Sequence, residues 1–238
     1  MLIVKIMRSN YLFLFFGIIC FIVACNSSDV GNGKNVSPEK IFFEYTITAD
    51  EESQNVLCMF KFWIGGPEGK TLLLEGPAKV ELDGERILPD SAKFTGIYYE
   101  KVRPLKDFAG KHTIKFTAPN NKEYSQEFEF KPFSLSEELP GSITRNPFTI
   151  QLKDLPAKET SMHIVMIDTA YATNDVNEKI VIENGKVLIS ELMLSQLKNG
   201  PIIIELTGED QKLIMNRSEP SGKIMMKYGL KREFELTN

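Results

Sequence analysis

Cysteine, histidine and surplus positive charge are scarce in this chain, and each scarcity narrows what it can do. Of three cysteines in 238 residues, Cys20 and Cys25 belong to an apolar N-terminal run, which leaves Cys58 for the body. One thiol cannot form an internal disulfide, so stability must come from apolar burial, which a 42% hydrophobic content can supply. Among its neighbours Cys58 reads as a small buried strand residue rather than a reactive thiol. The two histidines, His112 and His163, fall in different halves of the chain, with no second histidine or thiol spaced for a closed zinc site. Each reads as a satisfied structural histidine: His112 shares parity with Ile114 and Phe116, whereas the face of His163 is ambiguous. No Gly-x-Ser-x-Gly elbow, phosphate-binding glycine loop, His-Glu-x-x-His or dinucleotide fingerprint occurs, so the usual positive case for an enzyme or a cofactor is missing. With 28 basic against 32 acidic residues there is no cationic surplus to neutralise phosphates, which argues against a nucleic-acid partner.

What is present begins at the N-terminus. Lys5 and Arg8 precede a fourteen-residue apolar run from Tyr11 to Ala24, which stops at Cys25-Asn26-Ser27-Ser28. A spanning helix needs about 20 apolar residues, whereas runs of about 10–14 belong to secretory signals. The tetrapeptide Ile22-Val23-Ala24-Cys25 resembles the lipobox of bacterial lipoproteins. That resemblance implies cleavage before Cys25, acylation of its thiol and residence in the bacterial cell envelope, the outer membrane first among its membranes. Loss of residues 1–24 leaves 26 basic against 32 acidic residues, a net charge of −6, so the lipid and not the protein surface is the expected bilayer partner. Residues 26–39 are rich in Gly, Ser and Asn and are expected to form, with Cys25, a flexible tether reaching about 20 Å.

From Ile41 the pattern has period two. Ile41, Phe43, Tyr45 and Ile47 share one face, and Val56, Cys58, Phe60 and Phe62 repeat the spacing, which marks half-buried strands. Asp83-Gly84 and Asn184-Gly185 each supply both positive-φ positions of a type I′ turn and predict hairpins, the second joining Ile180–Ile182 to Val187–Ile189. Thr113–Ala118 and Tyr124–Phe130 flank Pro119–Lys122 as a further hairpin. Ser190 is placed to cap a short helix over Glu191–Leu197, with Leu192, Leu194 and Leu197 available to pack. The Pro- and Ser-rich stretch 131–141 reads as a junction, giving an all-β chain of two sandwiches, 40–134 and 135–238. With the lipobox, both turns and the Ser190–Leu197 helix leading to Asn199-Gly200-Pro201, the chain resembles the immunoglobulin-like domains of bacterial envelope lipoproteins. One departure is that Cys58 has no partner between residues 111 and 130.

The resemblance implies a membrane-anchored, non-catalytic module that binds or scaffolds an envelope protein or polysaccharide. Glycan binding through exposed rings is the alternative, and Trp63 and Tyr171 are its candidate contacts. Core packing is the competing reading of Trp63, since Leu57 and Met59 share its face. A carboxylate-dependent enzyme ranks third, because acids need only meet in space. Its raw material would be Glu51-Glu52, Glu137-Glu138 and Glu209-Asp210. The loop Asp168–Glu178 gathers hard oxygen donors suited to calcium, but it lacks the EF-hand spacing, and Asx turns explain the same residues without an ion.

Overall fold

The alternation expected from Ile41 onward is realised as a long ladder. In this computed structural model, which describes residues 30–32, 36–92, 96–155, 157–168 and 175–238, β2 (Ile41–Asp50) and β3 (Asn55–Ile64) pair antiparallel with Phe43 opposite Phe62 and Tyr45 opposite Phe60. Residues 1–24, expected to be a signal segment, and Cys25 and Tyr171 lie outside the described residues. Beyond β3 come β8 (Gly96–Pro104) and β7 (Pro89–Ala92). The facing sheet runs β10 (Glu123–Phe130), β9 (Gly110–Thr117), β5 (Lys79–Leu82), β6 (Glu85–Ile87). In chain order these are the A-B-E-D and G-F-C-C′ sheets of an immunoglobulin-like sandwich. Phe62 and Phe116 meet across its core at 4.8 Å, and Cys58 is fully buried there.

The second sandwich repeats the plan. Its C′-C-F-G sheet is β15 (Val176–Glu183), β14 (Glu159–Asp168), β17 (Gly200–Ile214), β18 (Ser221–Thr237). The opposing sheet is β11 (Ser134–Leu135), β13 (Phe148–Lys153), β16 (Lys186–Ile189). A short β12 (Ser142–Thr144) runs parallel to the end of β18, and Phe148 meets Phe234 across the core at 6.2 Å. The fold is all-β, two sandwiches in succession.

Both diagnostic turns form, with Asp83 and Asn184 at φ 52° and Gly84 and Gly185 at 83° and 72°. Their consequences differ. Asp83-Gly84 closes the β5–β6 hairpin, with Leu82 opposite Glu85. Asn184-Gly185 does not make the expected hairpin: β15 joins β14 while β16 crosses to β13 in the other sheet. Ile182 on one side and Val187 and Ile189 on the other are all buried, and sending the two strands to opposite sheets points both sets into one core. Gly185 is indispensable to this arch, since a Cβ there would sit 2.4 Å from the Leu152 carbonyl oxygen, which neighbours the amide that donates to Gly185 O at 2.8 Å.

Ser190 caps α1 (Glu191–Gln196) by accepting from Met193 N at 3.2 Å. Met193, Leu194 and Leu197 pack inward, while Leu192, expected in the core, is 70% exposed. Arg145 satisfies the helix's C-terminal end, donating to Leu194 O at 2.7 Å and Leu197 O at 3.0 Å.

Two further departures follow from unpaired backbone seeking partners. Val30–Asn32, expected within a free tether, forms β1 and lies parallel to β4 (Lys70–Leu73), so the coil is shorter than its composition implies. Pro38–Lys40 makes one turn of 3₁₀ helix before β2. The two sandwiches also share a sheet. The first half of β18 pairs parallel with β2, Ser221 opposite Phe42 through Gly229 opposite Asp50, and unites the A-B edge of one sandwich with the G edge of the other. Aromatic packing seals the seam, with Tyr228 5.2 Å from Phe133 and 6.3 Å from Phe130.

Candidate binding surfaces

Parity decides what the united sheet shows to solvent. Its outer face carries Phe42, Glu44, Thr46 and Thr48 from β2 and Leu57, Met59, Lys61 and Trp63 from β3, with Lys223, Met225 and Lys227 from β18. Trp63 is thus on the solvent side and half-buried rather than in the core. Its cross-strand neighbours are Phe42, whose ring is 6.1 Å away and tilted by 53°, and Thr71 on β4. Tyr99, one residue from Tyr98 on β8, faces the other way. It is 1% exposed, and its hydroxyl accepts from Leu74 N at 2.7 Å, so it cannot join Phe42 and Trp63 in one patch.

The charged residues of the outer face, interspersed with Leu57, Met59 and Met225, are paired in rows. Lys223 lies 2.7 Å from Glu44. Glu209 sits between Lys227, at 2.7 Å, and Lys179, and these two ammonium groups pull its carboxyl down to about 2. His163 belongs to this face, with Nε2 2.6 Å from Asn177 Oδ1.

The acids at the junction do converge, though not into a catalytic pair. Arg232 donates from Nε to Glu138 Oε2 and from Nη1 to Glu51 Oε2, both at 2.6 Å, while Lys231 lies 3.3 Å from Glu52. The guanidinium holds the Glu138 carboxyl below the usual carboxylate range. A general acid requires the opposite displacement, a carboxyl raised by apolar surroundings. These residues therefore form an ion-pair clamp joining the β2–β3 turn, the segment after β11 and β18.

His112 has the structural part its parity suggested. Nδ1 lies 2.7 Å from Asp83 Oδ2, Nε2 lies 2.6 Å from the Phe108 carbonyl oxygen, and the ring stacks on Phe108 with centroids 3.9 Å apart. It stands at the start of strand F, two residues before the core residue Ile114, and reaches backbone four residues upstream. A tyrosine takes that place in the tyrosine corner of immunoglobulin-like folds.

A cleft of 510 Å³ opens beside β13, lined by Leu139, Ile143, Phe148 and Ile150 among others. Ser136 N donates to Gln151 O at 2.8 Å on the β11 side of β13, after which the chain swings away toward the Arg232 clamp. Leu152 N donates on the β16 side. The alternation of an antiparallel ladder therefore turns the Thr149 N–H and C=O away from β16, into the cleft.

Of the Asp168–Glu178 loop, residues 169–174 lie outside the described residues, and Asp168 accepts from Lys198 N at 2.9 Å. Among the described residues no group of three or more His, Cys, Asp or Glu side chains is arranged to hold a metal, and no helix is long and apolar enough to cross a membrane. The Thr149 edge and the β1–β4 pairing had no visible signal in the sequence, because both depend on where distant segments leave the sheet.

No family model matches the chain, and no curated protein matches it. Solved structures with similarity include DIP-gamma IG1+IG2, at 8% identity and a TM-score of 0.22 over 79% of this chain and 94% of that one. Another is SGBP-B of the Bacteroides ovatus mixed-linkage glucan utilization locus, in complex with a mixed-linkage heptasaccharide. It has 14% identity and a TM-score of 0.22 over 84% of this chain and 46% of that one. A 1.5-MDa bacterial ice-binding adhesin matches at 11% identity and a TM-score of 0.23 over 84% of this chain and 65% of that one. The chain spans less than half the length of the SGBP-B chain, and scores this low assign no shared activity.

Proposed function

We propose that this is a lipid-anchored protein of the bacterial envelope whose two sandwiches hold a protein component of that envelope without catalysing a reaction on it. The observation that carries the reading is the open edge of β13. Thr149 turns an N–H and a C=O toward a 510 Å³ cleft lined by Leu139, Ile143 and Phe148 together with Glu137 and Glu138. An extended segment laid there would add a strand, its backbone bonding to Thr149 and alternate side chains entering the cleft. Four of the six carboxylates that could serve a hydrolase, Glu51, Glu52, Glu138 and Glu209, are instead paired with Arg232, Lys231 or the lysines around Glu209. The test is a photocrosslinker placed at Thr149 in cells of the source organism, with Ile143→Asp as the blocking variant. A discrete crosslinked protein that disappears with Ile143→Asp supports the reading, and a blank lane in correctly localised protein refutes it.

A second reading, glycan binding, is favoured by the half-exposed Phe42–Trp63 pair. Flat rings on a sheet face can stack on sugar rings. It predicts a change in Trp63 emission when the matching oligosaccharide is added, and a broad glycan screen without response would end it.

A further inference from the structure

Four apolar side chains stand together at one corner of the outer sheet face. Trp63 is the penultimate residue of β3, Phe42 the second of β2, and Leu213 the penultimate of β17. Met215 follows as the first residue of the β17–β18 connection. The pairings Trp63–Phe42–Ser221 and Glu44–Lys223–Leu213 place them across four adjacent strands, a width of about 15 Å. Met215 is 78% exposed and Leu213 62%, the first being the most exposed large hydrophobic residue described.

The first described residue, Val30, stands at this same corner. Val30 pairs with Thr71, which pairs with Trp63, so Val30 is two strand spacings, about 10 Å, from the tryptophan. Because β1 runs parallel to β4, Val30 is the residue of β1 nearest the end where β3 finishes and β18 begins. Five residue steps separate Cys25 from Val30, and no backbone conformation lets them span more than about 18 Å. A lipid on Cys25 therefore holds this corner, and not the far end of the molecule, against the membrane. The C-terminal end of β18 lies about 53 Å away along the strand.

We propose that this corner is seated in the headgroup and acyl boundary of the bilayer that carries the lipid, with Phe42, Trp63, Leu213 and Met215 immersed. The proposal rests on the reading that Cys25 is acylated. Tryptophan and other amphipathic rings favour that boundary, where one edge stays wet while the ring leaves water. Lys40, just before β2, and Arg217, in the β17–β18 loop, stand at the same end, as do the acids Glu39 and Glu68. Two of the nearby acids are already answered, Glu44 by Lys223 at 2.7 Å and Glu219 by Lys122 at 3.0 Å. Apolar contact would also add a second membrane signal to the acyl chains, in line with the two signals that stable anchoring needs. Seated in this way, the molecule presents the β13 cleft, near the C-terminal end of β18, away from the bilayer.

The chain has a single tryptophan, so its emission reports this corner without ambiguity. The purified mature protein, its Cys25 acylation checked by intact mass, is reconstituted in vesicles of phosphatidylethanolamine and phosphatidylglycerol, with and without phospholipids brominated on their acyl chains. The expected result is a blue shift, a loss of Trp63 emission in the brominated vesicles, and protection from aqueous acrylamide. In acylated Met215→Glu and Leu213→Glu proteins that still float with vesicles, the bromine-dependent loss should diminish. Acylated, floating wild-type protein whose tryptophan is unquenched by bromine and open to acrylamide overturns the proposal while leaving the lipoprotein reading intact. Absence of an acyl mass on Cys25 overturns both. A shift of Trp63 emission in soluble Cys25→Ala protein on adding an oligosaccharide makes the pair a sugar platform and also overturns the proposal.

Discussion

Gly222→Ala separates what local propensity expects from what the shared sheet requires. Glycine inside a strand costs roughly 0.5–1 kcal/mol relative to alanine, so on sequence alone the substitution should stabilise. In the structure Gly222 is buried opposite Phe43, where β18 runs beside β2. A Cβ at that position would lie 2.1 Å from the Phe43 carbonyl oxygen and 2.5 Å from its Cδ2. A backbone oxygen held in a ladder cannot rotate away, so β18 must move off β2. Overpacking of this kind costs typically 1–3 kcal/mol. With the propensity gain set against it, the net expectation is a loss of about 1 kcal/mol, or roughly 2–4 °C in Tm for a chain of this length. Gly141→Ala is the control, because nothing lies within 4 Å of a Cβ there and the change should stay within about 0.5 kcal/mol. Urea unfolding of the soluble Cys25→Ala form, followed by Trp63 emission and by circular dichroism, reads both variants. Gly222→Ala protein as stable as its parent would refute the parallel β2–β18 pairing and, with it, the union of the two sheets.

Other expectations concern single contacts. His112→Ala removes a ring stacked on Phe108 and takes the partner from the Phe108 carbonyl, while Asp83 keeps the Thr113 N–H, so a loss of about 2 kcal/mol is expected by urea unfolding. The Cys58 thiol, buried away from water, is pushed up to about 12, and a thiol reagent at pH 8 should label it only after unfolding. Rapid labelling of native protein would show that β3 is open. The Glu209 carboxyl has its folded pKa lowered to about 2 by Lys179 and Lys227, so its stabilisation is present above the unfolded value near 4.3 and disappears as pH falls toward 2. Glu209→Gln should therefore be less stable than the parent at pH 7 and equal to it near pH 2, and a constant difference across that range would contradict the ion-pair assignment. Arg145→Ala strips the last carbonyls of α1 of two charged donors and should lower the unfolding midpoint by about 1–2 kcal/mol. An unchanged midpoint would mean that water replaces the guanidinium there.

The faces of the strands were legible in the residues alone. Side chains alternate with a period of two whatever the strand pairs with, so Ile41, Phe43, Tyr45 and Ile47 inside and Phe42 and Glu44 outside follow from local geometry. The same holds for the Asp83-Gly84 and Asn184-Gly185 turns, whose positive φ values are written in two residues, and for the Ser190 cap. Placing Trp63 needed more. Its parity put it on the face opposite Phe62, but whether that face met a second layer or solvent depended on what covers β2 and β3, and among the described residues no sheet does. The clamp of Arg232 on Glu51 and Glu138 gathers residues 181 and 94 positions apart, and no local pattern encodes such a meeting.

Sequence by itself thus determined the long alternating strands, their inward faces, the positive-φ turns and the apolar segment ending at Cys25, because each of these is fixed by neighbours within a few residues. Tertiary structure alone decided which edges meet. It sent β15 and β16 into opposite sheets, laid β1 on β4, and joined the two sandwiches through β18 and β2. Every strand edge carries the same N–H and C=O groups whatever its side chains, so the choice among partners falls to long-range packing: the room that Gly222 leaves beside Phe43 and the aromatic seam around Tyr228.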